Sequence, residues 1–250
     1  MDRFEAVLKP KMVSDKIEFI QAAAKRFSEF GTPNFFDLVH DHQEQVFATL
    51  KTHYRNVIPA FGMMALSAVR TKQMKSADEN DLFLDLTRQW LSTEGLKRSK
   101  LIADTTEADV LAAIEAGLTE GLGTAAIASN ISDVTDLSSW RSELIARTET
   151  HAAANFGSVE SVRQAQSKLG VTMLKAWSPT LDSRTRPEHA NMEGSDPIPM
   201  DATFTVGGEE LDRPGDPAGS PENVLNCRCL LVYSEAESAS NDSGNSNSSD

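Results

Sequence analysis

The sequence predicts an α+β protein with a helical N-terminal region, a small α+β domain with short strands and a hairpin, and a disordered tail. Apolar residues recur at helical spacing through the first hundred positions. Proline, glycine and both cysteines gather between Trp177 and Tyr233, as a fixed irregular segment requires. From position 234 the chain is polar and has no aromatic residue, so it cannot bury enough surface to order itself. We therefore divide the chain into 1–104, 105–233 and 234–250.

Composition limits the classes of protein to which the chain can belong. Its 250 residues are 40% hydrophobic, enough for a sizeable core, and no apolar run is long enough to span a membrane. The N-terminus lacks the apolar core of a secretory signal. Two cysteines, two positions apart, exclude a disulfide framework and favour reduced thiols in a cytoplasm. The net charge of −13 and the scattered basic residues make direct DNA binding doubtful.

Region 1–104 is predicted to consist of amphipathic helices, which either pack with each other in an ordinary core or dock on a partner protein. Thr32 and Pro33 have the pattern of an N-cap followed by proline in the first turn. An apolar face then runs from Phe36 to Val57, and Pro59 is expected to break or kink that helix. A further periodic stretch carries Leu82, Leu86, Trp90 and Leu91. Exposed apolar side chains are expected at Phe35-Phe36 and Met63-Met64.

Region 105–233 begins with helices. Thr106 and Asp109 have the capping-box spacing, and glycines at 117, 121 and 123 are expected to end the helix that follows. The next helix carries Leu137, Trp140, Leu144, Ile145 and Thr148. Ser158 is interpreted as the cap of another helix, which ends before Gly170.

Short strands follow Gly170. Residues 171–177 have the composition of a strand, and 230–233 form the last one. Between them, Phe204-Thr205-Val206 and Glu209-Glu210-Leu211 flank a Gly207-Gly208 turn, which predicts a hairpin.

His189, Cys227 and Cys229 are the strongest candidates for metal or thiol chemistry. Zinc takes thiolate and imidazole ligands, but a C-x-C pair lacks the usual spacing, and a fourth ligand such as Asp182 is needed. A Cys–His nucleophile needs an orienting third group, and no oxyanion loop stands out. Asn191 stands where a zinc deaminase needs glutamate. We therefore predict buried structural thiols, no cofactor and no enzyme. The alternative is a zinc or thiol enzyme, or an effector, that uses these three residues.

Charged residues at two other places admit a functional and a structural interpretation. Asp182, Arg184 and Arg186 share one loop with His189 and suit a phosphate clamp, but internal pairing of an irregular loop is favoured. Arg147 and Glu149 lie on an alanine-rich helix and are interpreted as structural. The E-x-E at Glu235 and Glu237 is discounted because it falls in the predicted tail.

An ordered set of landmarks resembles the C-terminal domain of the phage Mu F-like head morphogenesis family. The set comprises Arg147-Thr148-Glu149, Lys175 and Trp177, Asp182 to His189 with Arg184 and Arg186, Phe204, Pro214 to Pro217 with Asp216, and Asn226-Cys227-Arg228-Cys229. The landmarks appear in order across about 90 residues. They say little about residues 1–100.

The resemblance implies a minor capsid protein of a tailed phage that acts in procapsid assembly at or near the portal, and in genome delivery. The implied partners are the portal protein and the capsid and scaffold proteins. The implied location is the host cytoplasm during assembly, and then the capsid interior or portal vertex of the virion. The resemblance carries over no catalytic residue.

Overall fold

The computed structural model describes residues 1–69, 76–134 and 138–236. The long helices are α1 (Asp2–Phe30), α2 (Phe36–Val69), α3 (Ser76–Trp90), α4 (Leu96–Thr119), α5 (Thr124–Asp133) and α6 (Ser138–Leu169), and a π-helical turn, Leu91–Gly95, joins α3 to α4. The shorter elements are β1 (Met173–Ser178), α7 (Pro187–Ala190), β2 (Ile198–Pro199), β3 (Phe204–Val206), β4 (Glu209–Leu211), α8 (Pro221–Val224) and β5 (Leu230–Glu235). The described chain is mainly helical with a few short strands, so the predicted α+β class is confirmed.

Helix α6 lies at the centre of the molecule. Its alanines pack with apolar residues of α1, α2 and α3 in one hydrophobic core. Small residues on α6 let its neighbours come close: a Cβ added at Gly157 would lie 2.6 Å from the carbonyl oxygen of Ile58 on α2. The helical region and the segment that follows it therefore share a core.

A second core lies between α6 and the strands. Val159 and Val162 of α6 pack with Trp177, Phe204 and both cysteines, among others. Strands β2, β1 and β5 form an antiparallel sheet in that order, with Trp177 opposite Leu231. A third core joins α1, α4 and α5.

Strands β3 and β4 form the predicted hairpin, which the structure confirms. Phe204 lies opposite Leu211, and Val206 lies opposite Glu209. Both turn residues have positive φ, 59° at Gly207 and 82° at Gly208, as a two-residue hairpin turn requires.

The predicted beginning of α2 was wrong, and Pro59 does not break the helix. The helix begins at Phe36, and Thr32-Pro33 lie in the preceding turn, which Arg26 holds by donating to Asn34 O and Asp37 Oδ1. Pro59 lies inside the helix. Proline removes one N–H, but the carbonyl that loses its partner belongs to exposed Arg55, where water can replace the bond. Burial of the adjacent residues Val57 and Ile58 holds the helix together.

The proposed caps at Thr106 and Ser158 were also wrong. Thr106 lies inside α4, where its hydroxyl donates to Ile102 O over 2.9 Å, and Asp109 pairs with Lys16 and Arg141 instead of capping. Ser158 lies inside α6 and its hydroxyl is 2.7 Å from the Tyr233 hydroxyl.

Helix ends marked by glycine were predicted better. Helix α6 ends at Leu169, and Gly170 follows it with φ 66°. Helix α4 ends at Thr119, ahead of Gly121 at φ 71°. The division between 104 and 105 falls inside α4, and α5 was not predicted.

Strand β5 extends beyond the expected start of the tail. Glu235 pairs with Met173, and the N–H of Ala236 donates to Thr172 O over 2.8 Å. The rest of the predicted tail, 237–250, and Leu137 lie outside the described residues. None of the described helices combines the length and the apolar character needed to cross a membrane.

Candidate functional site

The three zinc or thiol candidates meet in one buried cluster. His189 lies on α7, and the two cysteines precede β5. His189 Nδ1 lies 3.4 Å from Cys229 Sγ and 3.6 Å from Cys227 Sγ. All three residues are at most 3% exposed. The fold thus brings together residues that lie 38 and 40 positions apart in the sequence.

The ring of His189 is held by two neighbours. Trp177 packs edge-on against it, with ring centroids 5.7 Å apart. On the other side, Nε2 lies 3.3 Å from Asn223 Oδ1, while Asn223 Nδ2 donates to Val206 O over 3.1 Å. Because the amide nitrogen is engaged with a carbonyl, the amide oxygen accepts a hydrogen bond from Nε2. Nδ1 therefore faces the two sulfur atoms.

The two thiols polarise each other. The hydrogen bond from Cys227 lowers the pKa of Cys229, and the same contact together with burial raises the pKa of Cys227. The adjoining cavity has a volume of about 10 Å³, which is room for about one water molecule. Its lining comprises Thr180, Arg184, Thr185, Arg186, His189, Asn226, Cys227, Arg228 and Cys229. The cluster can hold an ion or a proton, but this cavity has no room for an organic substrate.

Asn226, just before Cys227, is held by hydrogen bonds with Arg147 and Thr148 of α6. It has φ 59°, in the left-handed region that asparagine tolerates better than most residues. Its N–H donates to Thr148 Oγ1 over 3.0 Å, and Arg147 donates to its Oδ1 over 2.7 Å. Two landmarks far apart in sequence thus meet, and the contact sets the direction of the cysteine segment.

Glu149 forms a buried ion pair with Arg98 on α4. Arg98 Nη1 lies 3.0 Å from each carboxylate oxygen, and the Tyr54 hydroxyl donates to Glu149 Oε2 over 2.6 Å. Arg147 instead pairs with Glu5 on α1. Both contacts join α6 to the helical region.

The loop that carries Asp182 is paired internally. Arg228 forms a bidentate pair with the Asp182 carboxylate, with both distances 2.6 Å, and the Arg184 N–H donates to it over 2.9 Å. These contacts, the one with Arg228 first, hold the Asp182 pKa well below its usual range. Arg186 donates to Leu225 O over 2.5 Å. Asp182 therefore pairs with arginine next to the His–Cys cluster instead of completing it.

The Pro214 to Pro217 turn packs on α6. Asp216 accepts the N–H of Asp212 at 2.7 Å and that of Ala218 at 3.0 Å. Gly215 has φ 75°, and an added Cβ would lie 3.0 Å from Ala152 Cα. Pro214 is buried beside it.

Sequence reasoning missed a second buried charge cluster. Lys175, fully buried on β1, lies 2.5 Å from Asp212 Oδ1, and Arg163 of α6 pairs with the same carboxylate. Burial lowers the Lys175 pKa. The sequence did contain a signal for this cluster, because Lys175 occupies an inward-facing position of β1, where burial alternates along the strand. No sequence signal indicated the roles of Asn223 and Arg98, because both roles depend on contacts that only the tertiary fold creates.

Comparison with known proteins finds a matching family and similar relatives. Residues 108–232 match the model of a family described as "Phage Mu protein F like protein". "Minor head protein GP7" of Bacillus phage SPP1 is 36% identical over 126 residues, covering 50% of this chain and 40% of that protein. "NAD(+)--arginine ADP-ribosyltransferase EFV" of Enterococcus faecalis is 32% identical over 116 residues, covering 46% of this chain and 23% of that protein. The chain thus matches less than half the length of either relative. No solved structure matches.

Proposed function

The chain belongs to the phage Mu protein F-like family, and on that premise we propose that it is a minor head protein of a tailed phage. We propose that it acts in procapsid assembly at or near the portal, and contributes to genome delivery. The observation that carries the proposal is the 36% identity to a minor head protein across a segment that makes up 50% of this chain. The matched family segment, 108–232, contains all the landmark residues from Arg147 to Cys229.

The contacts of the landmarks support a non-enzymatic role. Arg147, Glu149, Asp182 and Asp216 each pair with another part of the fold. Side chains used in this way hold irregular backbone in place. We propose that they preserve the shape of an assembly protein.

The proposed partners are the portal protein and the capsid and scaffold proteins. The chain would work in the host cytoplasm during assembly, and then in the capsid interior or at the portal vertex. A net charge of −13 favours basic protein surfaces over DNA as direct partners.

The helical region offers apolar side chains for docking on the portal. Phe30 is 70% exposed and Phe36 is 85% exposed, at the end of α1 and the beginning of α2, whereas Phe35 is buried. Met63 and Met64 are also exposed, farther along α2. Large aromatic side chains anchor protein interfaces when a partner buries them. We propose that Phe30 and Phe36 contribute to the portal contact.

The docking proposal is tested with Phe30→Ser/Phe36→Ser in a portal pull-down. We expect the double variant to lose portal binding and keep its melting temperature. Leu181→Ser is the control, because Leu181 is 59% exposed but lies in the loop after β1. If the double variant and Leu181→Ser bind the portal equally well, the contact does not involve Phe30 and Phe36.

The function is tested by quantitative mass spectrometry of gradient-purified capsids produced with and without the portal gene. We expect a few copies of this chain per particle, and their loss when the portal is absent. Absence of this chain from every particle would contradict the proposal that it is a head protein. Retention without the portal would contradict only the portal link.

The relative named as an ADP-ribosyltransferase makes an enzyme the second candidate. The proposed assembly role predicts that the purified chain neither consumes NAD⁺ nor modifies an arginine peptide. Nicotinamide release measured against a known transferase checks this. Release above a boiled control would favour the enzyme.

A further inference from the structure

We propose that His189, Cys227 and Cys229 bind one zinc ion that fixes the C-terminal segment to α7. The three donor atoms lie within 4.8 Å of one another, and all three side chains are buried. This inference rests on the cluster alone and does not depend on the proposed head-protein function.

The donor spacing suits a tetrahedral ion. Zinc lies about 2.3 Å from sulfur and about 2.0–2.1 Å from nitrogen, so a sulfur–nitrogen edge of the tetrahedron measures about 3.6 Å. The observed edges are 3.4 Å from His189 Nδ1 to Cys229 Sγ and 3.6 Å to Cys227 Sγ. A small outward movement of the thiols accommodates the ion.

The two sulfur atoms converge on one atom of the His189 ring. Both lie within 3.6 Å of Nδ1, as binding of a single ion by all three donors requires.

Asn223 provides the outer support typical of a metal-bound histidine. Such histidines donate their other ring N–H to an oxygen, which fixes the ring and its tautomer. Here Nε2 lies 3.3 Å from Asn223 Oδ1, and Asn223 is itself tied to Val206 O at 3.1 Å. The ring is therefore oriented for Nδ1 coordination before any metal arrives.

Ligand chemistry selects zinc. Thiolate and imidazole donors suit zinc and exclude magnesium and calcium, which prefer oxygen. Arg186 and Arg228 line the same cavity as the two cysteines. Two thiolates and Zn²⁺ together carry no net charge.

The three donors line the cavity of about 10 Å³, and one water molecule fits there as the fourth ligand. No carboxylate is among the described residues that line it, so a bound water has no general base beside it. The ion would therefore act as a structural link between α7 and the segment before β5.

The test uses the full chain, purified in its reduced form and without chelators. Zinc is measured by inductively coupled plasma mass spectrometry and by native mass spectrometry. We expect one zinc per folded chain, and loss of most of it in Cys227→Ser, Cys229→Ser and His189→Gln. His53→Gln is the matched control, because His53 is also buried, and its Nε2 lies 2.9 Å from Thr150 Oγ1. This control should keep the ion.

A second measurement does not rely on folding of the variants. Dialysis of the wild-type chain against a zinc chelator should lower its melting temperature, and zinc but not magnesium should restore it. A reduced wild-type chain that holds no zinc after one equivalent is supplied would overturn the proposal. A metal-free Cys227–Cys229 disulfide in the freshly purified chain, or zinc retained by all three ligand variants, would also overturn it.

Discussion

At the scale of single residues, His42 is a buried polar group without compensation. It stacks on Phe19 with ring centroids 4.9 Å apart, and neither ring nitrogen has a hydrogen-bond partner among the described residues. Burial, reinforced by the positive charges of Arg141 and Lys16, lowers the His42 pKa to about 4. The folded chain therefore holds this imidazole neutral where the unfolded chain protonates it.

We predict that His42→Leu stabilises the protein, and does so more at pH 5 than at pH 7.5. An unfolded histidine takes up its proton near pH 6.5, so the wild type loses stability as pH falls from about 6.5 to 4. At pH 5 the loss from this group is about 2 kcal/mol. Chemical denaturation at the two pH values measures the change. His40→Leu, at an exposed position on the same helix, is the control. An equal gain at both pH values would contradict the role of protonation.

Asn226 gives a second prediction at this scale, because its φ of 59° disfavours side chains with a Cβ. Asn226→Ala loses the bond from Arg147 and adds backbone strain, whereas Asn226→Gly loses only the bond. We expect the alanine variant to be less stable than the glycine variant by about 1 kcal/mol. At Asn191, with φ −64°, the order should reverse. Thermal melting of the four variants decides this, and the same order at both positions would rule out the strain.

At the scale of elements, the Arg98–Glu149 pair joins α4 to α6. Their side chains are only 11% and 8% exposed, so each charge depends on the other. Removing one partner of a buried pair costs about 3–5 kcal/mol, whereas replacing both with apolar residues costs much less. We predict this pattern for Glu149→Leu, Arg98→Met and the double variant.

Urea unfolding of the wild type and these three variants forms a double-mutant cycle. We expect the double variant to be more stable than the sum of the single changes predicts, by more than about 1 kcal/mol. The Tyr54 hydroxyl still loses its acceptor in the double variant, so full recovery is not expected. Additive effects would show that the two charges are independent.

At the scale of the whole molecule, sequence reasoning succeeded where structure is set locally. The Gly207-Gly208 hairpin and the helix end at Gly170 depend on positive φ, which glycine signals directly. It failed at Thr106, because a capping pattern is also compatible with a helix interior when packing outweighs local preference. For the same reason α2 continues through Pro59 without a break. His189, Cys227 and Cys229 were named as candidates from their residue types, and the fold brings these three side chains together.

The partners of the landmark residues were not predictable in the same way. The contact of Asn226 with Arg147 spans 79 positions, and that of Glu149 with Arg98 spans 51. Only the tertiary fold brings such residues together. The predicted division at 104/105 followed a change in composition along the sequence. The hydrophobic cores instead follow the packing of α6, which contributes to both of them.

The position of α6 leads to the last prediction, that the chain unfolds as one cooperative unit. Helix α6 packs with α1, α2 and α3 in one core and with the strands in another, and Gly157 lies against the backbone of α2. A fragment of residues 105–236 would expose the α6 face that packs on these helices and leave Glu149 without Arg98. We expect calorimetry to show a single transition for the full chain, and circular dichroism of the fragment to show no cooperative melting. A fragment that melts cooperatively, with dispersed amide resonances, would show that the matched segment folds without the helical region. In that case the contacts of α6 with α1–α3 would be a domain interface instead of a shared core.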